Sequence, residues 1–255
     1  PELLESNFNW VVLLEGGVLM LMILAGVYVI FVYWNKQSRL NQLQSNFVSS
    51  VSHELKSPLA SIRLYLETIK YQKVSSEEAQ DFVEIMLSDT ERLSDLIDNI
   101  LESSKSDPKS MRLQFTLVDI VLFLQEIINH HKKLFEDKQC QIQLKINSHA
   151  KVNIDAKAMR MVFNNLIANA LRYSHSGTTL IIEVRQDQKF CNIDFIDQGF
   201  GFKKKELKKV FKKFYRVQNQ ETQDLEGAGL GLYISRQIIK SHKGKINAFS
   251  EGQGK

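Results

Sequence analysis

The 255-residue sequence predicts an α+β fold in three parts. These are a transmembrane helix, a helical hairpin that pairs with a second copy as a dimeric four-helix bundle, and an α/β sandwich. Three observations predict it. An uncharged apolar run fills Gly16 to Trp34. Two segments after it carry apolar residues at spacings of three and four, with a short polar break between them. From Gln114 onward, helical stretches alternate with short β-branched runs.

Residues 1–9 read as an extracytoplasmic tail and 10–34 as the span. About 20 apolar residues cross a bilayer as a helix. Trp10, Tyr33 and Trp34 fall near its ends, where amphipathic rings favour the interface. A signal peptide starts basic, whereas Glu2 and Glu5 make this start acidic. Glu15 lies near the outer end, close enough to snorkel outward. Lys36 and Arg39 follow the span and no base precedes it, so everything after Trp34 faces the cytoplasm. The expected location is the inner (cytoplasmic) membrane, crossed once, with membrane lipid around the span. Cys140 and Cys191 are far apart and form no CxxC, as ordinary thiols of a reducing compartment would be.

Glu2, Glu5 and Glu15 are the only charged residues before position 36. All 33 bases therefore lie in 36–255, against the 29 acids less these three, which is 26. A basic cytoplasmic part suits a phosphate ligand or a lipid surface. No helix-turn-helix, zinc-finger or RNA-binding signature accompanies it, so nucleic acid is not an expected partner.

Residues 35–46 continue as a helical linker, too short for a separate domain. Residues 47–108 form the hairpin. Phe47, Val51, Leu55, Leu59, Ile62, Leu66 and Ile69 mark one face of its first helix, which runs to about Tyr71. Ser75-Ser76 before Glu77-Glu78 reads as a cap and an acidic first turn. The second helix carries Phe82, Ile85, Leu93, Leu96 and Ile100 and ends near Ser106-Asp107-Pro108. One hairpin leaves apolar surface wet, and two packed together cover it, so a homodimer is expected.

Within the first helix stands Ser52-His53-Glu54-Leu55-Lys56-Ser57-Pro58. At about 100° per residue, His53 lies roughly 200° from Val51 and Leu55, on the wet side. Glu54 is placed to take the Nδ1 proton and leave Nε2 as the nucleophile. Pro58 cannot donate to the carbonyl of Glu54, so the helix should loosen or bend just past the histidine.

Residues 109–255 form the third part. Helices are expected over Asp119 to Asp137, Ala156 to Tyr173, Lys204 to Phe211 and Leu230 to Ser241. Strands are expected over Gln141 to Ile146, Leu180 to Val184, Cys191 to Ile196 and Lys245 to Phe249, with the helices on one face of a sheet. Asn165, Asn169 and Arg172 share one side of their helix, opposite Met159, Val162, Leu166 and Ala170. Asn oxygens are hard ligands suited to Mg²⁺, and Arg172 suits phosphate. Asp197-Gln-Gly199-Phe-Gly201 follows a strand, where a carboxylate can accept from the exocyclic amine of adenine. Gly227-Ala-Gly229-Leu-Gly231-Leu232 opens a helix and offers backbone N–H groups to phosphate. Phe211-Lys-Lys-Phe214-Tyr-Arg216 precedes a loop over roughly 215–228, expected to be mobile.

Taken singly, a solvated helix face, a strand-to-turn link or a tight turn would explain each of these motifs. In this order, behind the His53 box, they resemble the N, G1, F and G2 boxes of the GHKL (Bergerat-type) ATP-binding fold in sensor histidine kinases of two-component systems. The resemblance covers about residues 36–254. It implies that ATP phosphorylates His53, with Glu54 assisting, and that the phosphoryl group passes to an aspartate on the receiver domain of a cognate response regulator. It implies Asn169 as the Mg²⁺ ligand, Asn165 and Arg172 on the phosphate side, Tyr173 near adenine, and Arg216 among the nucleotide-binding residues. Asp197 becomes the adenine reader, with Gly199 and Gly201 beside it. Gly227, Gly229 and Gly231 become lid glycines, and Leu232 joins the nucleotide-binding residues.

The chain departs from the pattern in places. Arg172 stands where Lys is common, and Lys243-Gly244 replaces a usual Gly-Gly. Ser57 stands where Thr or Asn commonly positions water for dephosphorylation, which leaves a phosphatase activity open. The family continues into a last strand beyond Glu251-Gly-Gln-Gly254-Lys255, and the chain begins at Pro1, so truncation at both ends is expected, with any sensor upstream. The dense run Lys203, Lys204, Lys205, Lys208, Lys209, Lys212 and Lys213 reads as a solvated face. Two alternatives stand beside the kinase: a catalytically silent, membrane-anchored dimeric scaffold with a vestigial nucleotide pocket, and an ATPase that clamps without phosphorylating itself.

Overall fold

A computed structural model describes residues 10–71, 74–104 (side chains of Glu102 and Ser104 excepted), 113–217 and 227–252. The chain divides into two compact units, Pro1–Asn46 and Phe47–Lys255. Helix α1 runs from Trp10 to Tyr71. Its start, in the first unit, is apolar and exposed, with a mean hydropathy of 2.3 over an 18-residue window. By length and composition it is the one helix among the described residues able to cross a membrane.

In the second unit, α1 from Phe47 onward and α2 (Ser76–Ser104) form the helical hairpin. Ser75 caps α2: its Oγ accepts from the Glu78 N–H (3.2 Å), while Glu78 Oε2 accepts from the Ser75 N–H (2.9 Å) and Oγ–H (2.8 Å). This reciprocal box satisfies donors that a helix start leaves open. The two hydrogen bonds from Ser75 hold the Glu78 carboxyl below the usual range. Tyr65 packs on Phe82 across the hairpin, ring centroids 4.8 Å apart. The expected end of the second helix at residues 106–108 lies outside the described residues, as does Lys73.

The α/β part comprises β1 (Thr116–Asp119), α3 (Ile120–Asp137), β2 (Gln141–Ile146), β3 (Lys151–Ile154), α4 (Ala156–Arg172), β4 (Thr179–Gln186), β5 (Cys191–Ile196) and α5 (Gly231–Ser241). Asp119 starts α3 by accepting from Val121 N–H (3.0 Å) and Leu122 N–H (3.2 Å). Asp155 starts α4 by accepting from Ala158 N–H (2.9 Å). Strand β2 pairs parallel to β4, and β4 pairs antiparallel to β5. The β2–β4 connection carries α4, as a parallel crossover requires. Leu180, Ile182 and Val184 alternate inward along β4 and meet α3, α4 and α5 in one core. Leu124 and Ile127 of α3, Ile167 of α4, and Ile234 and Ile238 of α5 are among its most deeply buried members.

Several expectations are corrected. Pro58 leaves α1 continuous to Tyr71, the end expected for it, and is fully buried. Its packing offsets the one hydrogen bond it cannot donate. The buried stripe accordingly passes through Leu55, Pro58, Ile62 and Tyr65, and leaves Leu59 and Leu66 exposed. Residues 204–211 form successive turns, not a helix, with bonds such as Lys209 N–H to Glu206 O (2.7 Å). Like charges four apart (Lys204/Lys208, Lys205/Lys209) disfavour a regular helix there. Lys245 to Phe249 alternates half-buried and exposed as a strand would, yet it pairs with no strand among the described residues. One sheet was expected, but β1 and β3 form a separate antiparallel ribbon that the sequence reading missed.

The Asp119 cap yields a prediction. Asp119→Ala should lower unfolding stability by about 1 kcal/mol, the usual worth of an N-cap. Urea melts of the variant against wild type measure it, and an unchanged midpoint would show that the cap contributes nothing.

Candidate nucleotide and phosphoacceptor site

Helix α4 builds one wall. Its buried face (Met159, Val162, Phe163, Ile167, Ala170, Leu171) lies in the core, so Asn165, Asn169 and Arg172 turn the other way into a cleft of about 1880 Å³. That volume exceeds a usual ligand pocket because the cleft also runs along α2. Tyr173 closes α4, its N–H bonding Asn169 O at 2.9 Å.

The segment after β5 is tied to this helix end. Phe200 N–H donates to Tyr173 O (3.0 Å), and Ser174 pairs with Gly199 as an isolated bridge. A Cβ on Gly199 would sit 2.7 Å from both Asp197 Oδ1 and Tyr173 O, so only glycine permits this approach. Asp197 Oδ1 accepts from Gly199 N–H at 2.9 Å. Desolvation by the cleft walls nevertheless raises the Asp197 carboxyl above the ordinary aspartate range, with that hydrogen bond opposing.

The glycine-rich segment forms the facing edge. A Cβ on Gly227 would lie 2.9 Å from Arg172 Nη1, 3.8 Å from the Tyr173 hydroxyl and 3.9 Å from Glu54 Oε1. A Cβ on Gly231 would lie 3.2 Å from Asn165 Oδ1. Gly229 has φ +68° and tight contact with the Phe214–Tyr215 backbone, which also demands glycine. Helix α5 starts after Leu230 with no side-chain cap, so its first N–H groups keep their capacity for an anion. Residues 218–226 of the expected mobile loop lie outside the described residues.

The hairpin supplies the last wall. Glu54 lines the cleft, and Asn99 Oδ1 accepts from Asn165 Nδ2 at 3.5 Å. Phe214 packs on Phe47 (centroids 4.4 Å apart), and Arg216 Nη1 donates to Ser50 Oγ (3.4 Å). Lys213 leaves the solvated face expected for it: its Nζ donates to Ser103 O near the end of α2 (2.6 Å) and lies over the Phe214 and Tyr233 rings.

Glu54, Asn165, Asn169, Arg172, Tyr173, Asp197, Gly201, Arg216, Gly227, Gly229, Gly231 and Leu232 thus line one cleft. Gly199 is buried behind it as a backbone support. His53 and Ser57 are exposed, as the helical phase predicts for His53, and neither lines the cleft. Sequence reasoning missed Asn99 and Ser103, whose partners are 66 and 110 residues away.

Residues 43–109 match the His Kinase A (phospho-acceptor) domain. Residues 154–255 match the histidine kinase-, DNA gyrase B-, and HSP90-like ATPase family. The chain belongs to the sensor histidine kinases of two-component systems. It is 34% identical over 223 residues to the sensor histidine kinase WalK of Bacillus subtilis (strain 168), across 86% of this chain and 36% of WalK. The chain therefore spans well under half of that relative. Two solved histidine kinases share the fold. Acinetobacter baumannii AdeS aligns with TM-score 0.55 and 23% identity, over 79% of this chain and 92% of AdeS. ThkA, solved in complex with the response regulator protein TrrA, aligns with TM-score 0.54 and 21% identity, over 85% and 61%.

The Asp197 environment makes a prediction for this histidine kinase. A carboxyl raised in the folded state binds its proton more tightly there than when unfolded. Its favourable contribution is full at low pH and is lost as pH rises through the folded-state value. Asp197→Asn should therefore raise the nucleotide-free melting temperature at neutral pH, with the gain shrinking below the ordinary aspartate range. Scanning calorimetry across pH checks this, and a lower melting temperature at neutral pH would refute it.

Proposed function

We propose that this chain transfers the γ-phosphoryl group of ATP to Nε2 of His53 and then to an aspartate on a response regulator. The observation that carries the reading is the cleft in which Glu54, neighbour of the proposed nucleophile, meets Asn165, Asn169, Arg172, Asp197 and the glycine segment. As His53 stands outside that cleft in this arrangement, transfer requires the catalytic part to move along the hairpin.

The Nε2 lone pair attacks the γ-phosphorus in line. An N–P bond forms as the bond from phosphorus to the bridging oxygen of ADP breaks, and ADP leaves. Glu54 holds or takes the Nδ1 proton, so the imidazole gives up its lone pair without accumulating charge. Asp197 reads the adenine amine, Tyr173 borders the base, and Arg172 and the α5 N–H groups face phosphate. Amide oxygens of a helical Asn beside a phosphate site fit Mg²⁺, which takes few protein ligands. Asn169 is the residue proposed to hold it, and the ion would neutralise developing phosphate charge.

Four features extend the proposal. Residues 47–108 are proposed as the phosphotransfer hairpin and 109–255 as the ATP-binding domain. Exposed Leu59, Leu64, Leu66, Leu87 and Leu101 on the hairpin support a homodimer that covers them. The apolar start of α1 supports a single membrane span, with bases on its cytoplasmic side. ThkA's complex with TrrA supports a receiver domain as the acceptor.

Incubation with γ-labelled ATP and Mg²⁺ should give acid-labile, alkali-stable phosphate that falls to background in His53→Gln. Retained label in that variant, or none in wild type, would sink the kinase reading. Asp197→Asn should weaken ATP binding by about 10- to 100-fold, the loss of one hydrogen bond to a charged acceptor. Isothermal titration measures this, and unchanged affinity would remove Asp197 as the adenine reader.

A further inference from the structure

The turn that carries Arg172 and Tyr173 is held from behind by a residue that no nucleotide motif includes. Lys138 ends α3, and its Nζ donates to two carbonyls of that turn, Leu171 O and Ser174 O, the second at 2.9 Å. These acceptors lie one residue before Arg172 and one after Tyr173. The last carbonyls of a helix have no intrahelical partner, and a cation near them is also favoured by the helix dipole.

The neighbourhood fixes Lys138 in turn. Cys140 N–H bonds Phe135 O (2.8 Å), closing the end of α3, and Gln141 N–H bonds Thr178 O (2.9 Å), starting β2. The far side of the Arg172–Tyr173 turn is tied to the Asp197 loop through Phe200 N–H and Tyr173 O. The turn is thus clamped between Lys138 and the loop bearing the proposed adenine reader.

We propose that Lys138 is a positioning residue for nucleotide binding: its ammonium, bridging Leu171 O and Ser174 O, sets the turn that aims Arg172 and Tyr173 into the cleft. It rests on the ATP reading above. Lys138 need not touch the nucleotide. Its effect passes through the turn, so it falls on ground-state binding and leaves the transfer step alone. Arginine offers donors to the same two carbonyls, whereas methionine keeps the stem and loses both bonds.

The test uses the full chain in detergent micelles or nanodiscs, with MgATP as the probe. Lys138→Met should raise KM for MgATP about tenfold, with kcat at saturation within about twofold of wild type. Lys138→Arg should restore KM to within about threefold. Ile127→Val, a buried core change in the same helix, serves as a control for general destabilisation and should leave KM unchanged. The proposal is overturned if Lys138→Met leaves KM unchanged, if kcat falls while KM holds, or if Ile127→Val raises KM equally. Failure of wild type to bind MgATP overturns the kinase reading itself, a result distinct from any difference among the variants.

Discussion

The cleft depends on one packing decision, the burial of the apolar face of α4. Ile167 and Val162 have essentially no exposure and meet the inward residues of β4 in the core. A helix has a single phase, so fixing that face also fixes the opposite one. A register change of one residue would rotate Asn165, Asn169 and Arg172 by about 100° and empty the site. Helix α5 follows the same logic. Ile234 and Ile238 are buried, and this holds Gly231 beside Asn165. Chemistry at the surface of the cleft is therefore a consequence of apolar packing beneath it.

The seam between hairpin and ATP-binding part is uneven. Phe47 on Phe214 and Lys213 on Ser103 hold one end closely. Further along, Glu91–His130 and Glu84–Lys133 are long, exposed pairs at 4.0 Å and 3.8 Å, a class that contributes little. Between these lie groups that docking dehydrates. Burial raises the Asp95 carboxyl, helped by Asp98 and Glu91 and opposed by His130 and His131. Burial lowers His131, while its hydrogen bond to Asn164 and the Asp95 charge oppose and His130 adds to the fall. Both shifts disfavour the charged form. Opening this part of the seam returns those groups to water and frees Asn165 from Asn99. Such a seam fits the movement that the proposed transfer requires.

Legibility in the sequence followed the range of the causes. Strands β2 and β5 and the Asn-bearing face of α4 arise from local periods, and each stands where the residues placed it. Asp119, read as the first residue of its helix, is instead the cap that precedes Ile120. Four-residue strands β1 and β3 are too short to show alternation, and only their pairing defines them. Residues 204–211 misled because Val210 and Phe211, both buried, gave an apolar spacing while the lysines around them prevented a regular helix. Lys138, Asn99 and Ser103 act through partners 33 to 110 residues away, and no local pattern encodes such contacts.

Pro58 joins these themes at the proposed nucleophile. It lies on the inner stripe with Leu55 and Ile62, and its ring is fully buried. Five residues along a helix is about 500°, so Pro58 and His53 point roughly 140° apart. Seating the proline therefore helps turn the histidine outward. The same proline cannot donate to the carbonyl of Glu54, four residues earlier. The backbone beside His53 thus lacks one rung of the helix ladder while the helix as a whole continues. For the proposed nucleophile, the buried ring thus fixes the helical phase at the same place where Pro58 can donate no ladder bond, both from one residue.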